Sequence, residues 1–231
     1  MHILVIDGGH VEAEFREKFG LGHEYSFWNS SPPETAATWE AAQKQLQQQL
    51  AIADAVFDFG NNLWGDALER RNTNVPYFRE ASDAQAVNIS EKYRPIFGFC
   101  GLPTLLNRRL LEVSLYHEVD RAKLAETCAA LGTDYRVVAD RVGLVTPRVI
   151  CQIINEACFT VQEGTATMQD VDLGMQLGTS YPRGPFAWAN AIGVERVYAV
   201  LEAMWQDTHD ERYKVCPLLK RQALRGEPFA V

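Results

Sequence analysis

Two short stretches carry residue types that could do chemistry. The first is Gly8-Gly9-His10, directly after the apolar run His2–Asp7, with Asn29 closing the next apolar run. In a dinucleotide-binding turn one glycine makes the tight bend after the first strand. A second lets the backbone approach the pyrophosphate, a third lets helix pack on sheet, and an acid about 20 residues on bonds the ribose. Here the three glycine positions read Asp7, Gly9 and Glu12, and the ribose position reads Asn29. Gly8, Gly9, His10 and Asn29 are therefore the candidate nucleotide contacts. Asp7 and Glu12 place negative charge at a helix N-terminus whose dipole otherwise favours an anion, so weak or absent cofactor binding is expected.

The second stretch is GFCGLPTLLNRRLLEVSL, with Cys100 and Glu112 as the candidate catalytic pair. A thiol with an ordinary pKa is a poor general base, and a neighbouring carboxylate pushes it further from thiolate. The cations nearest to it in sequence are Arg108 and Arg109. Cys100, Cys128, Cys151, Cys158 and Cys216 are odd in number and hold no C-x-x-C pair. That pattern favours reduced cytoplasmic thiols over a disulfide scaffold or a zinc site. Cys151 and Cys158, seven apart, share a helix face and read as core thiols.

With 47% hydrophobic and 23% charged residues in 231, the chain has the makings of a globular protein with a proper core. A net charge of −8 argues against nucleic acid or an anionic membrane as default partner. It also gives no general attraction for a CoA ester. No run approaches membrane-spanning length, and the chain opens on Ile3–Ile6 without a basic flank.

The elements that must position these residues alternate. Strands are predicted at His2–Asp7, Tyr25–Trp28, Ala55–Phe59, Val75–Phe78, Pro95–Cys100, Leu110–Leu115 and Tyr135–Ala139. Helices are predicted at Val11–Phe19, Thr35–Leu50, Trp64–Arg70 and Asp120–Leu131, with a turn at Ser30-Ser31-Pro32-Pro33. Strands alternating with helices imply a mostly parallel sheet. After Asp140 only helical spacing remains. Thr146 is expected to cap a long helix with Pro147 at its first position. Thr167-x-x-Asp170 resembles a capping box, with Gly178 closing that helix. Pro185 starts a short helix ended by Gly193, and Val197, Val200, Leu201, Met204 and Trp205 line a last one. The expected layout is a Rossmann-like α/β domain over 1–142 followed by an all-α domain over 143–231.

The run from Gly143 carries GLVTPRVICQIINEACFTVQEG, TATMQDVDLGMQLGTSYPRGPFAWANAIG and VERVYAVLEAMW. It resembles the C-terminal domain of the 3-hydroxyacyl-CoA dehydrogenases, whose pattern holds an NEA helix, D-[IVL]-D-x-[AG]-M-x-x-G and G-Y-P-x-G-P-F. The resemblance implies NAD-linked oxidation of a 3-hydroxyacyl-CoA, NAD as cofactor, and a homodimer joined through the helical domain. The family's catalytic base is a histidine paired with a glutamate. Counting back from Glu112-Val113, the histidine position falls on Cys100, and the family's asparagine falls on Pro147. Loss of a positioned acid–base group typically costs roughly 10²–10⁴ in rate. Ser82 is the candidate for the family's serine, by proximity in sequence. The family usually has a longer helical excursion and a further strand before Asp54–Phe59.

Three functions follow from these residues. One is a pseudoenzyme of this family kept as a binding or dimeric scaffold. The second is an active NAD(P)-dependent oxidoreductase with a rearranged site. The third, a thiol enzyme built on Cys100 and Glu112, lacks a cation beside the thiol.

Overall fold

The computed structural model describes residues 1–29, 36–60, 74–84 and 95–231. His2–Ile6 (β1), Glu24–Trp28 (β2), Ala55–Asp58 (β3), Tyr77–Glu80 (β4), Ile96–Phe99 (β5), Leu110–Leu115 (β6) and Asp134–Val138 (β7) join in one sheet. Its strand order is β2-β1-β3-β4-β5-β6-β7, and β5–β6 is the antiparallel pair among parallel neighbours. The inner strands are largely apolar because helices cover both sheet faces. Alternation divides β1 between them: Ile3 and Val5 face one core with Phe57, Phe78 and Phe97, Leu4 and Ile6 the other with Val56 and Tyr77.

Glu12–Phe19 (α1) and Arg121–Ala130 (α3) cover the first face through Phe15, Phe19, Leu124 and Cys128. Ala36–Ile52 (α2) covers the second through Leu46 and Leu50. Phe57 and Phe78 stack across adjacent strands, with centroids 4.6 Å apart and planes 8° apart. β4 starts two residues later than the Val75–Phe78 run implied. Pro76 has no N–H for the ladder, so it offers only its carbonyl, to the Val56 amide, before pairing begins at Tyr77. Among the described residues β2 and β7 are the two edge strands, and β2 is covered by a side chain of α1. Arg16 of α1 lies over its Tyr25 and Phe27 rings at 4.9 and 5.0 Å.

The chain divides into two compact units. Residues 1–81, 85–101 and 106–141 form the first, and 82–84, 102–105 and 142–231 the second. The second holds Thr146–Gln162 (α4), Met168–Thr179 (α5), Pro185–Ile192 (α6), Val194–Thr208 (α7) and Pro217–Arg225 (α8). α4 and α7 pack together and bury Ile150, Ile154, Cys158, Val197, Val200, Leu201 and Met204.

Several local expectations are corrected. Thr146 lies inside α4, whose cap residue Val145 makes no side-chain bond; the Arg148 amide instead donates to Gly143 O. Gly178 lies within α5, and Ser180 takes the left-handed cap at φ 58°. α8, between Pro217 and Gly226, was not anticipated. The Trp64–Arg70 helix and the Ser30–Pro33 turn lie outside the described residues. No helix among the described residues is long and apolar enough to cross a membrane.

Candidate functional site

Ligands of open α/β sheets bind beyond the carboxyl ends of the strands. At the end of β1 the chain bends at Asp7, which holds φ +55°, and its amide donates to Trp28 O at 2.8 Å. Asp is among the few L-residues that visit this left-handed region, so it serves the bend where glycine is usual. Gly8 is required by packing, since a Cβ there would come within 3 Å of Val5 and of the Phe59 ring. Gly9 faces Asn29: a Cβ at Gly9 would sit 3.4 Å from Asn29 Oδ1. His10 is exposed and meets the Phe59 ring edge-on at 5.6 Å. Gly8, Gly9, His10 and Asn29 are thus gathered around one turn.

Acids converge on the same turn from β3 and β4. Asp58 is 3% exposed, and its Oδ2 accepts from Tyr77 Oη and, at 3.0 Å, from Arg79 Nη1. Its Oδ1 accepts from the Gly60 amide at 2.8 Å. Burial raises the Asp58 carboxyl above its ordinary value, against the lowering by Arg79 and by the Tyr77 and Gly60 hydrogen bonds; Asp7 adds to the rise. A Cβ at Gly60 would come inside 3 Å of Asp7 Oδ2 and to 3.2 Å from Asp58 Oδ1, so both carboxylates crowd one glycine. Glu80 stands at the end of β4 and accepts from the Gly101 amide at 3.2 Å. Glu12 takes a different part from the one its position suggested. Its carboxylate pairs with Arg16 at 2.9 Å, one helical turn on.

Sequence reasoning missed Asp58, Arg79 and Glu80. An acid ending the buried VFD run, and a cation inside the otherwise buried YFRE run, were the available signals.

Cys100 follows β5 and is 3% exposed. Its amide donates to Glu112 O at 3.3 Å across the antiparallel step, so the two residues are ladder neighbours. Glu112 stands opposite Arg136 in the register with β7. Arg109 pairs with Asp134 at the exposed start of β6. Ser82 is fully buried and belongs to the second unit, and Pro147 is buried in the first turn of α4. All five cysteines are free and buried. Burial pushes the Cys128 and Cys151 thiols up to about 12, which leaves them protonated and inert at neutral pH. Among the described residues no cluster of His, Cys, Asp or Glu could hold a metal ion.

In the second unit the DVD and GPF stretches prove to be one capping device. Asp170 closes a reciprocal capping box with Thr167 at the start of α5. Asp172, 8% exposed, accepts from the Phe186 amide at 2.7 Å and the Ala187 amide at 2.9 Å, capping α6 from another helix. Gly184 is needed because a Cβ there would collide with the backbone and Cβ of Asp172. Asn155 bonds the Lys214 carbonyl at 2.9 Å and the Cys216 amide at 2.8 Å, pinning the approach to α8. Asn190 holds Phe229 through both backbone groups, at 2.9 and 2.7 Å.

Residues 143–228 match the family model described as 3-hydroxyacyl-CoA dehydrogenase, C-terminal domain. The match lies within the helical unit. The chain is 41% identical over 87 residues to the 3-hydroxyadipyl-CoA dehydrogenase of Escherichia coli, an alignment spanning 38% of this chain and 18% of that protein. It is 37% identical over 89 residues to a probable 3-hydroxybutyryl-CoA dehydrogenase of Bacillus subtilis, spanning 38% of this chain and 31% of that one. Both alignments thus cover less than a third of the relatives' own length. The solved (S)-3-hydroxybutyryl-CoA dehydrogenase of Ralstonia eutropha superposes with TM-score 0.72 over 97% of this chain and 94% of that one, at 18% identity. Likeness at that identity concerns the fold. Within the matched residues, the buried Asp172 and Asn155 act as packing devices.

Proposed function

We propose that this chain is a 3-hydroxyacyl-CoA dehydrogenase-family protein that has lost hydride transfer and acts as a dimeric binding or scaffold protein. One observation carries the reading: Asp7 and Asp58 crowd Gly60 at the turn where a dinucleotide would lay its pyrophosphate. The Asp7 carboxylate adds negative charge where that group would lie, and among the described residues Arg79 is held by Asp58 and Arg16 by Glu12. The residues present do not fit NAD. At the candidate catalytic positions a buried thiol, Cys100, stands where the family resemblance puts a histidine. Pro147 has no amide to bond a substrate oxygen. Glu112 keeps its place.

The reading treats residues 1–142 as a degenerate nucleotide domain and 143–231 as the dimerising helical domain. Five free thiols suit a reducing cytoplasm. The active-oxidoreductase alternative is favoured by the approach of Gly9 to Asn29, which leaves a ribose contact in place. Calorimetry with NADH and NADPH separates the two. Binding is expected to be undetectable, and a dissociation constant in the low micromolar range, about −8 kcal/mol, overturns the proposal.

A further inference from the structure

Along the outer side of α4 runs an open groove of about 490 Å³, closed on one side by the turn Glu211–Tyr213. Every residue lining it belongs to the helical unit. At one end Arg148 and Arg212 both lie over the Tyr213 ring, at 5.2 and 4.6 Å. Arg148 donates to Val142 O, Leu144 O and the Tyr213 hydroxyl, all of them neutral acceptors. A guanidinium carries five N–H groups, so two remain for a ligand. Arg212 pairs with Asp210 at 3.1 Å on the exposed side.

One turn along α4, Gln152 lines the same groove, and its Nε2 is shut from water with no acceptor. Orphaned buried donors are uncommon, which singles out this amide among the groove residues. Val149, 52% exposed, and the half-buried Ile153 make the apolar floor. Glu156 closes the far end, two turns from Arg148, about 12 Å along the helix axis.

We infer that this groove binds a medium-chain monocarboxylate, its head on Arg148 and Arg212 and its chain over Val149 and Ile153. A planar carboxylate matches the open edge of a guanidinium. The size suits a small ligand of this kind. Glu156 repels a second negative charge, so a dicarboxylate or a polyphosphate is excluded. The groove shares no residue with the nucleotide turn, so the inference stands or falls apart from the loss of NAD binding.

The probes are octanoate, octanamide, octanedioate and inorganic phosphate, titrated into the full chain by calorimetry, with NADH run on the same preparation. Saturable octanoate binding is expected, at least tenfold tighter than for the other three. Val149→Glu, at an exposed position, and Arg212→Gln are each expected to weaken octanoate tenfold or more while the circular dichroism melt stays in place. Absence of saturable octanoate binding overturns the inference. So does equal affinity for octanamide, octanedioate or phosphate, or unchanged affinity in Val149→Glu. If the wild-type groove is dry to octanoate and Val149→Glu instead halves the molar mass, a second copy of this chain covers it and the inference is wrong.

Discussion

The Asp7 carboxylate lies so close to Gly60 that a single Cβ at that position would come within 3 Å of Oδ2. The contact joins the ends of β1 and β3, and it places an anion at the bend that dinucleotide folds keep bare. The backbone there is unusual too, with Asp7 at φ +55°. Asp7→Gly relieves a conformation that costs an L-residue roughly 1–2 kcal/mol, offset in part by added freedom of the unfolded chain. Stability is expected to stay within about 1 kcal/mol of wild type or to rise. Asp7→Val, β-branched at the same φ, is expected to lose about 1–3 kcal/mol. Urea denaturation of both variants checks the pair, and equal midpoints would refute the strain argument.

Asp58 makes stability pH-dependent with a definite sign. Its folded-state pKa is raised, chiefly by burial. The folded chain therefore holds this proton more tightly than the unfolded chain does. That contribution is fully present below the unfolded carboxyl pKa of about 3.9 and is lost as pH rises through the folded value. Arg79→Leu removes the main opposing influence and leaves a buried carboxylate unpaired, at a cost of about 3–5 kcal/mol. The variant should lose more stability than wild type between about pH 4 and 7, measured as urea midpoints. Parallel losses in the two proteins would show that Asp58 is solvated.

The cap from Asp172 to α6 predicts an unusual failure of rescue. Asp172→Ala leaves one buried and one half-buried amide unpaired and is expected to cost about 1–3 kcal/mol. Gly184→Ala collides with the Cα and Cβ of Asp172, atoms that Asp172→Ala retains. The double variant should therefore be no more stable than Gly184→Ala alone. Recovery in the double variant, read from thermal melts, would mean that only the carboxylate blocks a side chain at 184.

The strands were legible because each inner strand is a short run of apolar residues bounded by turn residues. Fully buried parallel strands need that composition. The start of β4 was misplaced because Pro76 looks apolar but cannot donate to the ladder. Asp58 was illegible for another reason. Its weight comes from register, Asp58 standing opposite Arg79, and register is a long-range property. α8 was missed because Leu219 and Ala223 are the only side chains it buries, and its approach is held by Asn155, about sixty residues earlier. The apolar line read on the last helix, α7, proves to be core, packed on α4. Ile154, Val197, Leu201 and Met204 are each fully buried by the chain itself.

Reduction of acetoacetyl-CoA with NADH is expected to stay at background in the wild type. Cys100→His with Pro147→Asn supplies the two missing side chains and is expected to remain inactive, because neither change touches Asp7 or Asp58. Turnover of the wild type at ordinary rates, near 10 per second, contradicts the whole reading of the site. Turnover of the double variant alone confines the loss to Cys100 and Pro147 and clears the nucleotide turn.

The proposed dimer needs a surface that the chain leaves open, and α5 supplies one. Leu173 and Leu177 are 55% and 77% exposed and stand one turn apart on the same face. A two-fold pairing would bring this face against its own copy, so each substitution acts twice per interface. Leu177→Asp is expected to fold as the wild type does, because the side chain is already exposed, and to halve the molar mass seen by light scattering. Ile154→Asp puts a charge at a fully buried position and is expected to unfold the chain instead of separating subunits. A wild-type mass of 26.0 kDa at micromolar concentration, the mass of one chain, sinks the dimer whatever the variants do.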